Sequence, residues 1–282
     1  MLKIAGVVIL YNPKKEYIDN ILSYISQVER VYVVDNSEND NPIIKDLELY
    51  NNIQKINNEG NIGMAAALNL AATKAIDEGF DLLLTMDQDS SISSNYINDM
   101  LGEFEKDDNI GLLSPFILHT ENPKEPIISD IINITIAITS GSIIKLTAHK
   151  KIGGFLNKLF IDYVDHEYCL RMKSFGFKIL RLNSVCIYHT LGNAKARKFF
   201  FTKVFPTNHS ALRWYYRTRN RFYVCKVYKE GFPEYVKTDR LEMVKEFLKI
   251  VLYEKNKLEK FTMIFRGYID FKKNKFGKLI TR

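Results

Sequence analysis

The stretch DLLLTMDQDS, residues 81–90, decides how this chain folds. Leu82 to Met86 form a short apolar run that is continuous rather than alternating, with one threonine in it. Such a run fits a strand buried on both faces, as in a parallel sheet clothed by helices. It stops at two carboxylates one residue apart, Asp87 and Asp89. In open parallel sheets, ligands gather outside the carboxyl ends of the strands, where strand order reverses. Two acids at such an end ask for a ligand that needs them.

The same rhythm extends on both sides. Residues 4–10 (IAGVVIL) form a second continuous apolar run, closed by the turn YNP at 11–13. Helical spacing over 14–28 leads to the strand VYVVD, ending at Asp35. A short helix over 42–50 and a short strand over 53–56 follow. NNEGNIG (57–63) feeds the alanine-rich run MAAALNLAATKAIDE, a strong helix former that Gly79 stops. After the central strand come a helix over 92–106 and a strand over 110–113. This βαβαβ alternation predicts an α/β fold with a doubly wound, mostly parallel sheet flanked by helices. From about 127 the pattern changes to the β-branched segment IINITIAITSGSII. A Gly-Gly turn, a helix from about 165 to 175 and strands over 178–182 and 185–189 come next. Beyond 195 the spacing is helical, over 208–228 and 234–266.

The 282 residues, 46% apolar, suffice for a substantial core. Three cysteines without CxxC or zinc spacing fit a reducing compartment. We expect no signal peptide and no membrane-spanning run, hence a cytoplasmic protein. The net charge of +7 hides a split: residues 1–194 carry −8 and residues 195–282 carry +15. We therefore expect an acidic catalytic domain over 1–194 and a basic helical region over 195–282. A basic region of this strength suits a polyanion, either nucleic acid or an anionic membrane surface.

Three polar strand ends would meet in such a sheet: Tyr11-Asn12, Asp35-Asn36 and Asp87-Gln88-Asp89. Any one of them alone reads as ordinary turn chemistry. No GxGxxG follows the first strand and no GxxxxGK[ST] occurs, which argues against a nicotinamide cofactor and a P-loop NTPase. Paired carboxylates suit Mn²⁺ or Mg²⁺, whose other positions are filled by water and phosphate oxygens. The first half thus reads as a site for a nucleoside diphosphate.

The segments VVILYNP, VVDNS, NEGNIGMAAALN, MDQDS, TSGSII, GGFLNKLFIDYVDHEYCLR and YYRTRNR occur in this order. Together they resemble the family 2 glycosyltransferases of the GT-A fold, and among them the bacterial rhamnosyltransferases of O-antigen and cell-wall polysaccharide synthesis. The resemblance implies a Rossmann-like sheet and an inverting, metal-dependent transfer of a sugar to a saccharide or lipid-diphosphate-linked acceptor. dTDP-L-rhamnose is the favoured donor, with UDP-galactose, UDP-glucose or UDP-galactofuranose as alternatives. It implies that Tyr11, Asn12, Asp35, Asn61, Gly63, Asp87, Gly141 and Arg219 bind nucleotide or donor, with Asp35 on the pyrimidine base. It implies Asp87, Asp89 and His189 as metal ligands and Asp165 as the catalytic base. The family's usual Glu-Asp pair is here Val164-Asp165. Asp165 also suits a helix N-cap, with Glu167 as a dipole partner in the first turn. Gly141 would let a ligand approach the backbone. His209, Arg217 and Arg219 would be candidates for diphosphate contacts.

The mixture of Arg, Trp and Tyr over 209–226 would also suit a nucleic-acid surface. That reading leaves the paired acids unexplained, so no nucleic acid is expected. The basic amphipathic pattern over 241–280 suits either packing on the domain or peripheral attachment to the inner face of the plasma membrane.

Overall fold

The computed structural model describes residues 2–39, 41–119, 130–189, 197–199, 202–204 and 208–280. The chain divides into two compact units. One comprises Met1–Asn157 and Val164–Thr190; the other comprises Lys158–Tyr163 and Leu191–Arg282.

The first unit opens with β1 (Ile4–Leu10), α1 (Tyr17–Ile25), β2 (Arg30–Asp35), α2 (Ile43–Leu47), β3 (Ile53–Ile56), α3 (Met64–Asp77) and β4 (Leu82–Asp87). It continues with β5 (Ser90–Ile92), α4 (Tyr96–Phe104), β6 (Ile110–His119), β7 (Ile131–Asn133), β8 (Ser142–Lys145), α5 (Leu146–Ile152), α6 (Val164–Ser174) and β9 (Lys178–His189). The sheet order is β3-β2-β1-β4-β8-β6-β9-β5, with β7 also pairing to β9. β1 runs parallel to both β2 and β4, and β2 parallel to β3. β8 enters antiparallel between β4 and β6. Strand order reverses at β1, so its carboxyl end opens a crevice between β2 and β4.

The continuous apolar runs have the burial their pattern implies. In β1 and β4 all but one residue are buried, the exceptions being Ile9 and Asp87. α3 lays Ala65, Ala67, Leu68, Ala71, Ala72 and Ala75 against the sheet. These small side chains let the helix come close, and Ala costs the least of any residue in helical conformation. Gly79, at φ +78°, follows the helix end. On α5 the ring of His149 is buried, with Nδ1 2.9 Å from the Tyr168 hydroxyl.

Two expectations need correction. The strands expected over 178–182 and 185–189 are one strand, β9, because β6 accompanies it from Ile110 to His119. A register shift between Pro115 and Phe116 absorbs residues 183–185, whose polar Asn183-Ser184 the sequence suggested as a break. The helical spacing over 234–266 is likewise not one helix. The second unit contains β10 (Arg197–Phe199), β11 (Thr202–Val204), α7 (Ala211–Tyr228), α8 (Pro233–Tyr253) and α9 (Lys257–Lys272). Asn256, at φ +52°, separates α8 from α9, and a buried Lys260–Glu254 pair at 2.8 Å fastens the corner. α9 meets α7 at Gly267, where an added Cβ would lie 2.5 Å from the Tyr215 carbonyl oxygen.

Burial, and next the nearby Arg171 charge, lower the His149 pKa to about 4 from 6.5. The folded state therefore resists protonation that the unfolded chain accepts. The corresponding stability is fully present above pH 6.5 and is lost as pH falls toward 4, by up to about 3 kcal/mol. Urea titrations across this window should show a slope of stability against pH that His149→Gln makes shallower by up to one proton. Identical slopes would contradict the assignment.

Candidate active site

The site is built on three adjacent strand ends. Parallel register sets Leu10 opposite Asp35 and Ile9 opposite Asp87. The acids that end β2 and β4 thus flank the end of β1 on its two sides. Tyr11 and Asn12 continue β1 into the crevice; Asn12 takes φ +45° and Tyr11 is half exposed.

Side-chain amides tie this edge together. The Gln88 carboxamide, between the two acids, accepts from the Tyr11 N–H at 2.9 Å and donates to the Tyr11 carbonyl at 3.2 Å. Asn20 of α1 donates to the Gln88 carbonyl at 3.2 Å. The Asn12 N–H donates to the Ser37 hydroxyl at 2.9 Å, and the Ser37 N–H donates to Asp35 Oδ1 at 2.9 Å. Asn58 donates to the Asp35 and Gly60 carbonyls at 2.9 and 2.7 Å and to Asn36 Oδ1 at 3.2 Å. Asn61 Oδ1 accepts from the Gly63 N–H at 3.0 Å, at the entry to α3. Gly63 takes φ +85°, a conformation that favours glycine.

On the other side, the segment TSGS at 139–142 is stitched to β4. Thr85 donates to the Thr139 carbonyl and, at 3.1 Å, to the Ser142 carbonyl. The buried Ser140 hydroxyl accepts from the Asp87 N–H at 3.2 Å and donates to Ser90 at 2.9 Å. Ser90 pairs across the strands with the backbone of His189. The His189 side chain lies outside the described residues. Asp165, in the first turn of α6, lines a small cavity with Thr85, Thr139, Ser142 and Tyr168. Its Oδ1 accepts from the His166 N–H at 2.9 Å. Glu167 is buried and bidentate to Arg171 at 2.8 and 2.9 Å, so its carboxylate braces α6.

Two expected ligand contacts have another use. The space a side chain would need at Gly141 is filled by protein: a Cβ there would lie 2.7 Å from Ile187 Cγ2 and 2.8 Å from the Tyr96 hydroxyl. With φ +74° as well, backbone and core packing already require glycine at 141. Arg219 is 1% exposed and lies inside the second unit. Its guanidinium donates to the carbonyls of Gly277 at 2.9 Å and Leu159 at 3.2 Å, and it faces the rings of Tyr215, Tyr216 and Phe276. Asn220 donates to the carbonyls of Leu159, Ile161 and Asp162 at 2.8, 2.8 and 2.9 Å. Together they hold a strained strap in which Phe160, Asp162 and Tyr163 all have positive φ, just ahead of Asp165 in the chain. A buried arginine next to aromatics looks like an anion ligand in sequence; its carbonyl partners are remote and leave no local signal.

Sequence reasoning also missed Tyr24. Its side chain is fully buried and its hydroxyl has no hydrogen-bond partner among the described residues. Burial, and then the Asp87 charge, push its pKa far up.

The carboxylates suit a divalent ion as two hard oxygen donors at one strand end. Among the described residues no cluster of three His, Cys, Asp or Glu groups forms. Mg²⁺ and Mn²⁺ need only one or two protein carboxylates when phosphate oxygens and water complete the shell, so the donor set fits.

A doubly wound sheet with polar strand ends at its switch point is the architecture of an α/β protein whose ligand site lies at the carboxyl ends of its strands. Residues 7–180 match the model of glycosyl transferase family 2, and the chain belongs to that family. It is a glycosyltransferase. The chain is 25% identical over 244 residues to the dTDP-rhamnosyl transferase RfbF of Shigella flexneri, covering 79% of this chain and 80% of that protein. The fold resembles that of S. aureus TarS 1–349 in complex with UDP-GlcNAc, with TM-score 0.66 and 15% identity over 96% of this chain and 80% of that one. It also resembles GalNAc-T7 with UDP, GalNAc and Mn²⁺, with TM-score 0.64 and 14% identity over 86% of this chain and 51% of that one. The expected GT-A architecture and family 2 membership are thereby borne out.

The Gln88 clamp makes a direct prediction. Gln88→Glu keeps an acceptor for the Tyr11 N–H but leaves the Tyr11 carbonyl without its donor. It should cost about 0.5–1 kcal/mol in urea unfolding and raise the KM for the donor. A variant with unchanged KM and stability would show that the clamp positions nothing.

Proposed function

We propose that this protein transfers L-rhamnose from dTDP-L-rhamnose to a saccharide or lipid-diphosphate-linked acceptor in bacterial surface polysaccharide synthesis. The observation that carries this reading is the convergence of Asp35, Tyr11-Asn12 and Asp87-Gln88-Asp89 at the switch point of a family 2 sheet. The likeness to the Shigella rhamnosyl transferase supports rhamnose over galactose, glucose or galactofuranose.

In this reading Asp35 receives the pyrimidine and Tyr11 and Asn12 line the nucleotide pocket. The loop at Asn61 and Gly63 borders the donor. Asp87 and Asp89, with His189 as a third ligand, would hold Mn²⁺ or Mg²⁺. When bound, the ion supplies positive charge for the leaving diphosphate. Asp165 accepts the proton of the acceptor hydroxyl as its oxygen bonds to the anomeric carbon. The bond from that carbon to the diphosphate oxygen breaks, and the electron pair leaves with the diphosphate. One base and one displacement invert the anomeric configuration.

The second unit supports attachment to an anionic membrane surface. Leu241, Val244, Leu248, Val251 and Leu252 of α8 are all about half exposed and fall on one helical face. The exposed Lys245 and Lys255 flank this stripe. Such a helix lies in the headgroup region with its apolar side inward. No described helix is long and apolar enough to cross a membrane.

Product NMR after transfer to a saccharide acceptor should show a single inverted anomer. Asp165→Asn should lower kcat by about 10²–10⁴-fold with little change in KM for the donor. A retained anomeric configuration, or full activity in the variant, would refute the mechanism. For the membrane, wild type should sediment with phosphatidylglycerol vesicles but not with phosphatidylcholine. Leu248→Asp should weaken that binding about tenfold; equal sedimentation of variant and wild type would remove the α8 face from the account.

A further inference from the structure

The second unit contains a cavity of about 60 Å³ lined by His209, Trp214, Arg217, Glu246, Lys249 and Glu254. Two buried donors of this lining have no acceptor among the described residues: the indole Nε1–H of Trp214 and the Nε–H of Arg217. Trp214 is only 3% exposed, so bulk solvent does not serve it. Leaving such a donor unmet is costly, and buried polar groups in native proteins are rarely left so.

The two carboxylates of the lining bond other groups and reach neither of these donors. Glu246 is engaged by Arg217 Nη2 and by Arg221 Nη1, the latter at 2.6 Å. Glu254 is engaged by Lys260 at 2.8 Å and by the Asn208 N–H at 3.3 Å. Lys249 makes no hydrogen bond or ion pair among the described residues. Beside the two unmet N–H donors, the cavity thus offers one ammonium and the ring of His209. His209, set edge-on to Trp214 at 6.1 Å, is held neutral by burial and then by the Arg213 charge.

A neutral imidazole brings one N–H and one acceptor nitrogen, so donors outnumber acceptors in this remainder and the ammonium disfavours a cation. Such a lining suits a small oxygen anion. Donors that come from two helices, α7 and α8, point to a group whose oxygens diverge, which a tetrahedral phosphate has and a planar carboxylate lacks. We propose that the pocket formed by Trp214, Arg217 and Lys249 binds a phosphate group. The proposal is argued from residues of the second unit alone and stands whichever sugar nucleotide the strand ends of β1, β2 and β4 take.

Trp214 is the sole tryptophan of the chain, so its fluorescence reports on this pocket alone. The full-length protein would be titrated with inorganic phosphate and with octyl phosphate, with chelator present and against chloride at equal ionic strength. The expected result is a saturable fluorescence change with phosphate that chloride does not give. Lys249→Met should weaken binding about tenfold, and Trp214→Phe, followed by calorimetry, by a similar factor. Both variants should keep metal-dependent nucleotide-sugar binding, which separates this proposal from the donor site. Tighter binding of octyl phosphate would mark a lipid phosphate as the source, and equal binding a free phosphate. A cavity filled by water alone would give no saturable response. That result, or unchanged affinity in both variants, would overturn the proposal.

Discussion

The parallel pairing of β1 with β2 on one side and β4 on the other is the constraint on which the site depends. With both edges of β1 hydrogen-bonded, the chain leaving each carboxyl end must turn away over the sheet. Polar residues that would be costly inside the core are tolerated there. Side-chain amides from Gln88, Asn58 and Asn20 then bond the turns to one another. Short polar side chains thus hold three separate pieces of chain in one arrangement without any regular element.

Much of this was legible because burial on both faces leaves a plain trace. IAGVVIL, VYVVD and DLLLTM are continuous apolar runs, and each is a strand of the parallel half. The polar residues at their ends marked the edge where the site lies. The antiparallel half was harder to read. β9 crosses a polar Asn183-Ser184 because its neighbour β6 shifts register, and no local pattern announces a shift in a partner. The three-residue β5 is too short for periodicity to declare. Gly141 shows the same limit: its need for glycine comes from Tyr96, Pro115 and Ile187, all distant in sequence.

The second unit extends the lesson to charge. Its arginines suggested a surface for anions, yet Arg219 and Arg221 are buried. Arg219 holds carbonyls of the 158–163 strap, and Arg221 pairs with Asp239 at 3.1 Å and with Glu246. A guanidinium has five N–H donors in a fixed fork, so it can saturate several backbone oxygens at once where the chain is strained. The strap's run of positive φ values persists because Arg219 and Asn220 satisfy its carbonyls. Net charge counts such arginines as free, and only the structure separates them from Lys249 on α8.

Calorimetric titration of dTDP-L-rhamnose into wild type and Asp89→Asn, each with and without Mn²⁺, tests the central claim most directly. The account predicts binding to wild type that requires the ion. It predicts a loss of at least about tenfold in affinity in the variant, with its unfolding temperature unchanged. Equal affinity in all four titrations would contradict a metal-assisted donor site at the end of β4.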